Sequence, residues 1–372
     1  MATQAMLYEE MGGGLHLSWS EAELPERERT KHVHRLHPYL GKFVPQLVEA
    51  LLARYVKPGG RVLDPFAGSG TTLVQCLESG HDAVGLDVAA FNCLLMRVKT
   101  RRYDLFRLES ELRDALGRVG GRSRLRPRGY VREWFASQAA AELLHFGSIV
   151  DDYEHADVLR VVLARAARSA RLTTHFYLDF PRSPQREAYW CHKHRRECTP
   201  VQAAGKFLSR YVVDTLERIK DFQRARDRRC SAEVMHGDSS EVALEGSFDA
   251  IVTSPPYPGL IDYHEQHRYA YELLALDDRR DRELGAAALG TSRRALEEYV
   301  DGISRVLETQ SRSLAPGAPV IVVVNDRRDL YPAVLERSGL LLADRLERHV
   351  NRRTGRRSGE YFESILVCVR ET

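Results

Sequence analysis

Two short segments combine a strand pattern with a turn that could hold a ligand. The first reads DPFAGSGTT at residues 64–72, where glycines let the backbone approach a ligand and a following helix offers free N–H groups. The turn lacks the lysine of a Walker loop and the full GxGxxG fingerprint. Asp87 ends the next strand pattern, where an acidic side chain can accept hydrogen bonds from ribose hydroxyls. Together they predict a site for a nucleoside cofactor without a phosphate chain.

The second segment reads TSPPY at residues 253–257 and directly follows the strand pattern at 249–252. Two consecutive prolines hold a rigid loop with few hydrogen-bond donors at the end of that strand. Open α/β sheets bind their ligands at this edge. A turn of this kind alone is more often structural, but its combination with the glycine-rich turn favours an active site.

The elements around these turns predict an α/β fold. Residues 61–87 read as a strand, a glycine-rich turn, a helix and a second strand, which is how an open parallel sheet begins. A helix is predicted before them at 44–55. The remaining elements are strands at 232–236, 250–253 and 320–324, a helix at 295–314, and a closing antiparallel hairpin from the apolar runs 340–346 and 364–369.

A basic, mostly helical insertion interrupts this alternation. Its helical patterns lie at 105–116, 136–151, 156–170 and 201–224, with a loop at 180–200. Between Arg101 and Cys230, 27 Lys and Arg stand against 17 Asp and Glu, a surplus of 10 in a chain whose net charge is +3. The surplus is either a solvated surface or a surface for a polyanion. We therefore divide the chain into residues 1–104, an insertion at 105–228, and residues 229–372.

Both turns resemble motifs of a known enzyme family. Residues 63–72 and the Ser-Pro-Pro-Tyr tetrapeptide at 254–257 resemble motifs I and IV of the S-adenosylmethionine-dependent amino-group DNA methyltransferases. HPYLGKFVP at 37–45 resembles their motif X, and the Gly-Asp pair at 237–238 resembles the acidic position before the catalytic strand. The resemblance covers residues 31–100 and 230–372. It implies a three-layer, Rossmann-like methyltransferase sheet, a target-recognition insertion, S-adenosyl-L-methionine as cofactor and double-stranded DNA as partner.

The resemblance also implies roles for individual residues. The turn residues would line the methionine side of the cofactor, Asp87 would bind the ribose and Asp238 the adenine amino group, while Lys42 and Phe43 would close over the methionine carboxylate. The cofactor-binding set is Lys42, Phe43, Asp64, Phe66, Gly68, Gly70, Thr71, Asp87 and Asp238. The catalytic set is Ser254, Pro255, Pro256 and Tyr257. The Ser254 hydroxyl and the Pro255 carbonyl would accept hydrogen bonds from the target amino group, and Tyr257 would stack on a flipped base.

The resemblance identifies the methylated base less directly than it identifies the cofactor. In this family, serine at the first position of the tetrapeptide goes mostly with N4 of cytosine, whereas Asp or Asn goes mostly with N6 of adenine, so Ser254 favours cytosine. The motif order, with X and I before the insertion and IV after it, is better known among adenine enzymes, and adenine stays an alternative. Further alternatives are a guanine amino group in structured RNA and a non-catalytic DNA-binding subunit. The lack of a recognisable RNA-binding domain and the intact motifs disfavour them.

Basic residues interleaved with aromatic ones suit contact with DNA phosphates and bases. The candidates are Arg182, Arg186, Trp190, Lys193, Arg195 and Arg196 in the insertion, His267 and Arg268 after motif IV, and Arg352, Arg353 and Arg356 near the C-terminus. Arg348 and Arg357 flank the last group, for which a solvated hairpin tip is the alternative. Four residues of the insertion, Cys191, His192, His194 and Cys198, could instead bind zinc. They crowd within eight residues without a CxxC pair, so we assign no metal.

The composition is that of an ordinary globular protein. Of 372 residues, 43% are hydrophobic and 29% charged, which excludes a wholly disordered chain. The longest aliphatic run, at 320–324, is too short to span a membrane, and the first residues do not resemble a secretory signal. Six irregularly spaced cysteines do not suggest a disulfide framework. We expect a cytoplasmic enzyme of a bacterial or archaeal cell, bound to the nucleoid through DNA, with a cognate restriction endonuclease as a candidate partner.

Overall fold

The computed structural model describes residues 15–41, 44–121, 123, 125–178, 181–350 and 361–371. The chain forms two compact units. The first, here called the catalytic unit, comprises Met1–Arg101, Ala225–Asp262 and Arg279–Thr372, and the second, the insertion unit, comprises Arg102–Arg224 and Tyr263–Asp278. The sequence division assigned the segment Tyr263–Asp278 to the C-terminal part of the catalytic domain. Within the described residues, no helix is long and apolar enough to cross a membrane.

Nine strands are described. They are β1 (Arg61–Asp64), β2 (Asp82–Asp87), β3 (Tyr189–Cys191), β4 (Arg196–Cys198), β5 (Ala232–His236), β6 (Ala250–Thr253), β7 (Val320–Val324), β8 (Leu340–His349) and β9 (Phe362–Arg370).

Thirteen α-helices are described, some of a single turn. They are α1 (Glu26–Arg29), α2 (Pro45–Tyr55), α3 (Thr71–Ser79), α4 (Ala90–Thr100), α5 (Leu105–Gly117), α6 (Gly129–Trp134), α7 (Ser137–Ile149), α8 (Ala156–Ala170), α9 (Gly205–Ala225), α10 (Tyr263–Gln266), α11 (Arg268–Leu274), α12 (Arg293–Ser311) and α13 (Tyr331–Ser338).

The catalytic unit is built on a seven-stranded sheet with the order β5-β2-β1-β6-β7-β9-β8. The first five strands are parallel, and β9 pairs antiparallel with β7 and with β8. The chain runs from β1 outward to β2 on one side and returns to β6 on the other side of β1. The strand order therefore reverses between β1 and β6, and open α/β sheets bind ligands outside the carboxyl ends of the strands at such a point.

Helices cover both faces of this sheet. Successive residues of a strand point to opposite faces, so neighbours such as Val62 and Leu63 enter different apolar clusters. The cluster around Val62 includes Leu51 of α2, and the cluster around Leu63 includes Ile303 of α12. These layers of helix, sheet and helix confirm the predicted three-layer α/β fold with its closing antiparallel hairpin.

The insertion unit is mostly helical, as predicted, and contains a small two-stranded sheet of β3 and β4. The helix α11 belongs to it because its aromatic residues pack within this unit. Tyr269 is 1% exposed and lies under the guanidinium of Arg171, 4.5 Å from the ring centroid. Similarly, the guanidinium of Arg268 lies 5.3 Å from the ring of Tyr130 on α6.

Candidate active site

Asp64 links the glycine-rich turn to the strand that carries the tetrapeptide. It ends β1, is 2% exposed, and its Oδ1 accepts hydrogen bonds from the Thr253 hydroxyl (2.6 Å) and the Phe66 amide (3.1 Å). Burial raises the pKa of Asp64 to about 6, although these hydrogen bonds favour the carboxylate. Since β1 and β6 are adjacent, the bond to Thr253 fixes the relative position of the two turns that follow them.

The turn itself needs glycine at two positions. Gly68 and Gly70 have φ angles of +52° and +79°, in the left-handed region where other side chains are strained. A Cβ on Gly70 would overlap Met96 Cγ at 2.8 Å, and one on Gly68 would lie 3.0 Å from the hydroxyl of Tyr39. Tyr39 belongs to the stretch that resembles motif X, so that stretch reaches motif I through this side chain.

Asp87 closes the other side of the turn. Its Oδ2 accepts from the Gly68 amide at 2.8 Å, and its Oδ1 accepts from the Ala89 amide at 2.8 Å and from Asn92 Nδ2 at 3.1 Å. Burial raises the pKa of Asp87 to about 6. A carboxylate offers about four acceptor positions, so three protein donors still leave room for a hydroxyl donor. Asp87 therefore both shapes the turn and keeps capacity for a ligand.

The remaining predicted cofactor residues lie around this turn or outside the described residues. Phe66 is partly buried against the apolar cluster of Leu63, and Thr71 is the buried first residue of α3. Asp238 follows β5, and its Oδ1 accepts from the Ser240 amide and hydroxyl at 2.9 and 2.7 Å. Its Oδ2 lies 3.7 Å from a guanidinium nitrogen of Arg282. Lys42 and Phe43 lie outside the described residues.

Sequence reasoning missed two side chains that hold the turn. Lys99 of α4 is 1% exposed and donates a hydrogen bond to the Ser69 carbonyl. Asn92, also on α4, donates to both Asp87 and the Tyr39 hydroxyl, the latter at 3.2 Å. A lysine and an asparagine in an otherwise apolar helix face, in the sequence AFNCLLMRVKT, are the only signal that could have pointed to them.

The tetrapeptide is anchored by hydrogen bonds on both sides. The Ser254 hydroxyl donates to the Val323 carbonyl of β7 at 3.0 Å. The Pro256 carbonyl accepts from the Tyr299 hydroxyl of α12 at 2.8 Å, and Tyr299 lies 3.2 Å from the hydroxyl of Tyr331. Because the Ser254 proton is directed to Val323, the lone pairs of its oxygen are oriented to accept a hydrogen bond.

Tyr257 is fixed by an ion pair of the closing hairpin. Its hydroxyl donates to Glu363 Oε1 at 3.2 Å, and Glu363 Oε2 accepts from Arg348 Nε at 2.8 Å. Burial, followed by the nearby Glu363 carboxylate, raises the pKa of Tyr257 well above its usual value, so the phenol stays protonated. Arg348 is 4% exposed. Its guanidinium is buried against Glu363 on the neighbouring strand, so it lies inside the hairpin and not in the basic surface cluster that it flanks in the sequence.

The other candidates for DNA contact differ in how exposed they are. Those on and before the β3–β4 hairpin are exposed, namely Arg182, Arg186, Trp190, Lys193, Arg195 and Arg196. Arg268 is partly exposed and lies 3.6 and 3.4 Å from the carboxylates of Glu265 and Glu272. His267 is 2% exposed, and burial lowers its pKa to about 3, so the structure does not place the side chain of this predicted DNA contact on the surface. Arg352, Arg353, Arg356 and Arg357 lie outside the described residues.

These features fit a nucleoside cofactor. The turn after β1 has two left-handed glycines where the backbone can approach a ligand closely, and the first turn of α3 has no side-chain cap. Asp87 at the end of β2 is a partly exposed acceptor with capacity for a ribose hydroxyl. The tetrapeptide with Ser254 follows the adjacent strand, so an acceptor group held there would face the same edge of the sheet.

Comparison with known proteins agrees with this geometry. A family model described as DNA methylase (N6_N4_Mtase) matches residues 8–96. The type II methyltransferase M.MjaII of Methanocaldococcus jannaschii is 34% identical over 95% of this chain and 83% of that protein. M.MvaI of Kocuria varians is 24% identical over 60% of this chain and 53% of that protein, and M.BsoBI of Geobacillus stearothermophilus is 22% identical over 71% and 57%. The chain belongs to the amino-group DNA methyltransferases, which take their methyl group from S-adenosyl-L-methionine.

Proposed function

We propose that this enzyme methylates the exocyclic N4 amino group of cytosine in duplex DNA. The observation that carries the proposal is the orientation of Ser254, whose proton is directed to the Val323 carbonyl at 3.0 Å. The serine oxygen can then accept a hydrogen bond from an amino group. In this family, serine at this position goes mostly with cytosine.

The tetrapeptide would act on the nitrogen rather than on the methyl group. S-adenosylmethionine supplies an electrophilic methyl group on a sulfonium. Hydrogen bonds from the amino group to the Ser254 oxygen and the Pro255 carbonyl draw the nitrogen lone pair out of conjugation with the ring. The nitrogen would form its bond to the methyl carbon as the carbon–sulfur bond breaks, so that S-adenosylhomocysteine leaves with that electron pair and the nitrogen loses one proton to solvent. Positioning supplies much of the acceleration, and no covalent enzyme intermediate is needed.

The cytosine must leave the duplex to reach these groups. Tyr257 would hold the extruded base by stacking, which is worth about 1–3 kcal/mol per base. The bond from its hydroxyl to Glu363 at 3.2 Å supports this role because it holds the far end of the side chain in place before the base arrives. The hydroxyl itself needs no contact with the base.

The exposed residues around the β3–β4 hairpin are the proposed DNA contacts of the insertion unit. Lys193, Arg195 and Arg196 lie in or beside its turn, and Trp190 is 61% exposed on β3. An exposed aromatic ring among cations suits stacking or wedging beside phosphate contacts. The proposed setting is the cytoplasm of a bacterial or archaeal cell, where a cognate restriction endonuclease would share the recognition sequence.

Transfer from a radiolabelled cofactor tests the proposal. The purified protein is incubated with unmethylated duplex DNA, with structured RNA of the same length, or with no nucleic acid. We expect label in the duplex alone and, after digestion, in a cytosine nucleoside. Label in RNA, or a folded protein that binds cofactor and DNA without any transfer, would contradict it.

A further inference from the structure

Four side chains of the insertion unit converge at the β3–β4 hairpin. They are His175 in the preceding loop, Cys191 at the end of β3, His194 in the turn and Cys198 at the end of β4. One nitrogen or sulfur atom of each lies within 4.8 Å of those of the others. Of the four residues considered from the sequence, His192 is absent from this cluster, and His175, 16 residues before Cys191, takes its place.

The distances match the edges of a metal-binding tetrahedron. Cys191 Sγ lies 3.4 Å from His175 Nδ1 and 3.7 Å from His194 Nδ1, and Cys198 Sγ lies 3.5 Å from His194 Nδ1. With Zn–S of about 2.3 Å and Zn–N of about 2.0–2.1 Å, a tetrahedral zinc ion separates sulfur and nitrogen ligands by about 3.6 Å. Two thiolates with two imidazoles in this geometry select zinc over the harder divalent ions.

A disulfide does not explain the two cysteines. Cys191 pairs with Arg196 and Cys198 pairs with Tyr189, so the cysteines are diagonal neighbours across the hairpin. The Cα atoms of such neighbours are about 7–8 Å apart. This is at or beyond the Cα separation of about 7 Å that a disulfide can bridge. Both thiols are free. A metal ion between the sulfurs spans this gap, whereas a direct bond between them requires the backbone to move.

The hairpin also needs a stabilising link. Each strand has three residues, and the two strands form a sheet of their own. An isolated two-stranded hairpin is marginally stable in water. Yet Cys191 and Cys198 are 3% and 9% exposed, while most of the residues between them are exposed. The backbone amide of His175 donates to the Tyr189 hydroxyl at 3.2 Å, which brings the preceding loop to the same place.

We propose that His175, Cys191, His194 and Cys198 bind one structural Zn²⁺ ion that holds the hairpin and its preceding loop together. The four protein ligands close the coordination shell, as in structural rather than catalytic zinc sites. Two thiolates neutralise the charge of the ion. The positive charge of the hairpin therefore stays with Lys193, Arg195 and Arg196, in the turn that the metal fixes.

Metal analysis of the full chain tests the site. We expect about one zinc per chain after gel filtration of protein produced in zinc-supplemented medium. The variants Cys191→Ser and Cys198→Ser should lose the metal, whereas the matched control His192→Ala, an exposed histidine in the same turn, should keep it. Zinc-free wild type, equal zinc in the double variant Cys191→Ser/Cys198→Ser, or an intact mass that shows a Cys191–Cys198 disulfide would overturn the proposal.

Two measurements on the wild type keep the test independent of whether the variants fold. Cobalt exchanged into the site should give a thiolate-to-cobalt charge-transfer band, and a spectrum of oxygen and nitrogen ligation alone would overturn the proposal. Trypsin cleaves after Lys193, Arg195 and Arg196, which are exposed in and beside the turn. Removing zinc with a chelator should speed cleavage at these sites more than elsewhere, and unchanged cleavage there would contradict a structural role.

Discussion

Ser254→Ala separates the chemical step from binding and stability. The substitution removes an oxygen whose proton is held by the Val323 carbonyl and whose lone pairs we assign to the target amino group. By analogy with loss of one preorganised hydrogen bond in other enzymes, the rate should fall by about 10²–10³, equivalent to about 2.7–4 kcal/mol. The free energy of unfolding should fall by only about 0.5–1.5 kcal/mol, because one neutral hydrogen bond is lost.

Single-turnover methylation of duplex DNA, with enzyme in excess, measures this rate without product release. Cofactor affinity by calorimetry should stay near the wild-type value, since Ser254 does not hold the cofactor in this account. The matched control is Ser231→Ala, whose hydroxyl donates to Asp82 Oδ1 at 3.0 Å before β5 begins. This control removes the same atom and one hydrogen bond, here to a carboxylate and not to a carbonyl, at the opposite edge of the sheet.

The pair of variants gives a clear refutation. If Ser254→Ala retains a rate within about threefold of wild type, which is under about 1 kcal/mol in activation free energy, the serine oxygen does not orient the amino group. If Ser231→Ala loses as much activity as Ser254→Ala, the effect reports general destabilisation. We expect a large loss in the first variant alone, at unchanged cofactor affinity.

Three further predictions concern the cofactor, the base and the DNA. Because protonation of Asp87, whose pKa is about 6, removes its negative charge, cofactor affinity should fall as the pH drops below about 6. Asp87→Ala should weaken cofactor binding by about 1–3 kcal/mol and make that binding less dependent on pH. A wild-type affinity that calorimetry finds independent of pH would exclude Asp87 as the ribose ligand. Tyr257→Phe should keep most single-turnover activity while Tyr257→Ala loses at least about 1–3 kcal/mol of base stacking; equal rates for both would exclude stacking. Changing Arg195 and Arg196 to Ala should make the slope of log DNA affinity against log salt concentration shallower, by the amount expected for about two phosphate contacts. Cofactor affinity should stay unchanged. An unchanged slope, measured by fluorescence anisotropy, would mean that these arginines do not contact phosphates.

The sheet could be predicted from the sequence because its strands are short apolar runs between strong breakers. Val320–Val324 consists of five aliphatic residues after a Pro-Gly turn, and Ala250–Thr253 ends one residue before two prolines. The predicted bounds of Val320–Val324 are those of the structure, and those of Ala250–Thr253 agree to within one residue. The β3–β4 hairpin was missed because its strands read YWC and REC, which carry neither alternation nor an aliphatic run.

The turns of the site could also be predicted, but not the side chains that support them. The positive φ angles of Gly68 and Gly70 follow from the glycine pattern. The contact of Tyr39 with Gly68 depends on packing between distant segments, which no local pattern encodes. The pair of Arg348 and Glu363 likewise depends on the register of β8 and β9. Without that register, Arg348 resembled one more basic residue of a surface loop.

The positions of two histidines in the fold also differ from what the sequence suggested. His267 lies in a polar tract that suggested contact with a nucleotide, yet the fold places it inside the insertion unit at 2% exposure. In the zinc cluster, His175 is far from Cys191 in sequence, and only the loop that precedes the hairpin brings their side chains together. Spacing in the sequence favours His192 because it lies next to Cys191, and it misses His175 because that residue lies 16 positions earlier.

The identity of the methylated base distinguishes methylation of cytosine N4 from methylation of adenine N6. Unmethylated duplex DNA is treated with the purified enzyme and S-adenosylmethionine, digested to nucleosides and analysed by mass spectrometry against standards, with Ser254→Ala as the control. We predict N4-methylcytosine in the wild-type reaction and a strongly reduced amount with the variant. N6-methyladenine as the product would contradict the assignment of Ser254 as a cytosine-orienting residue.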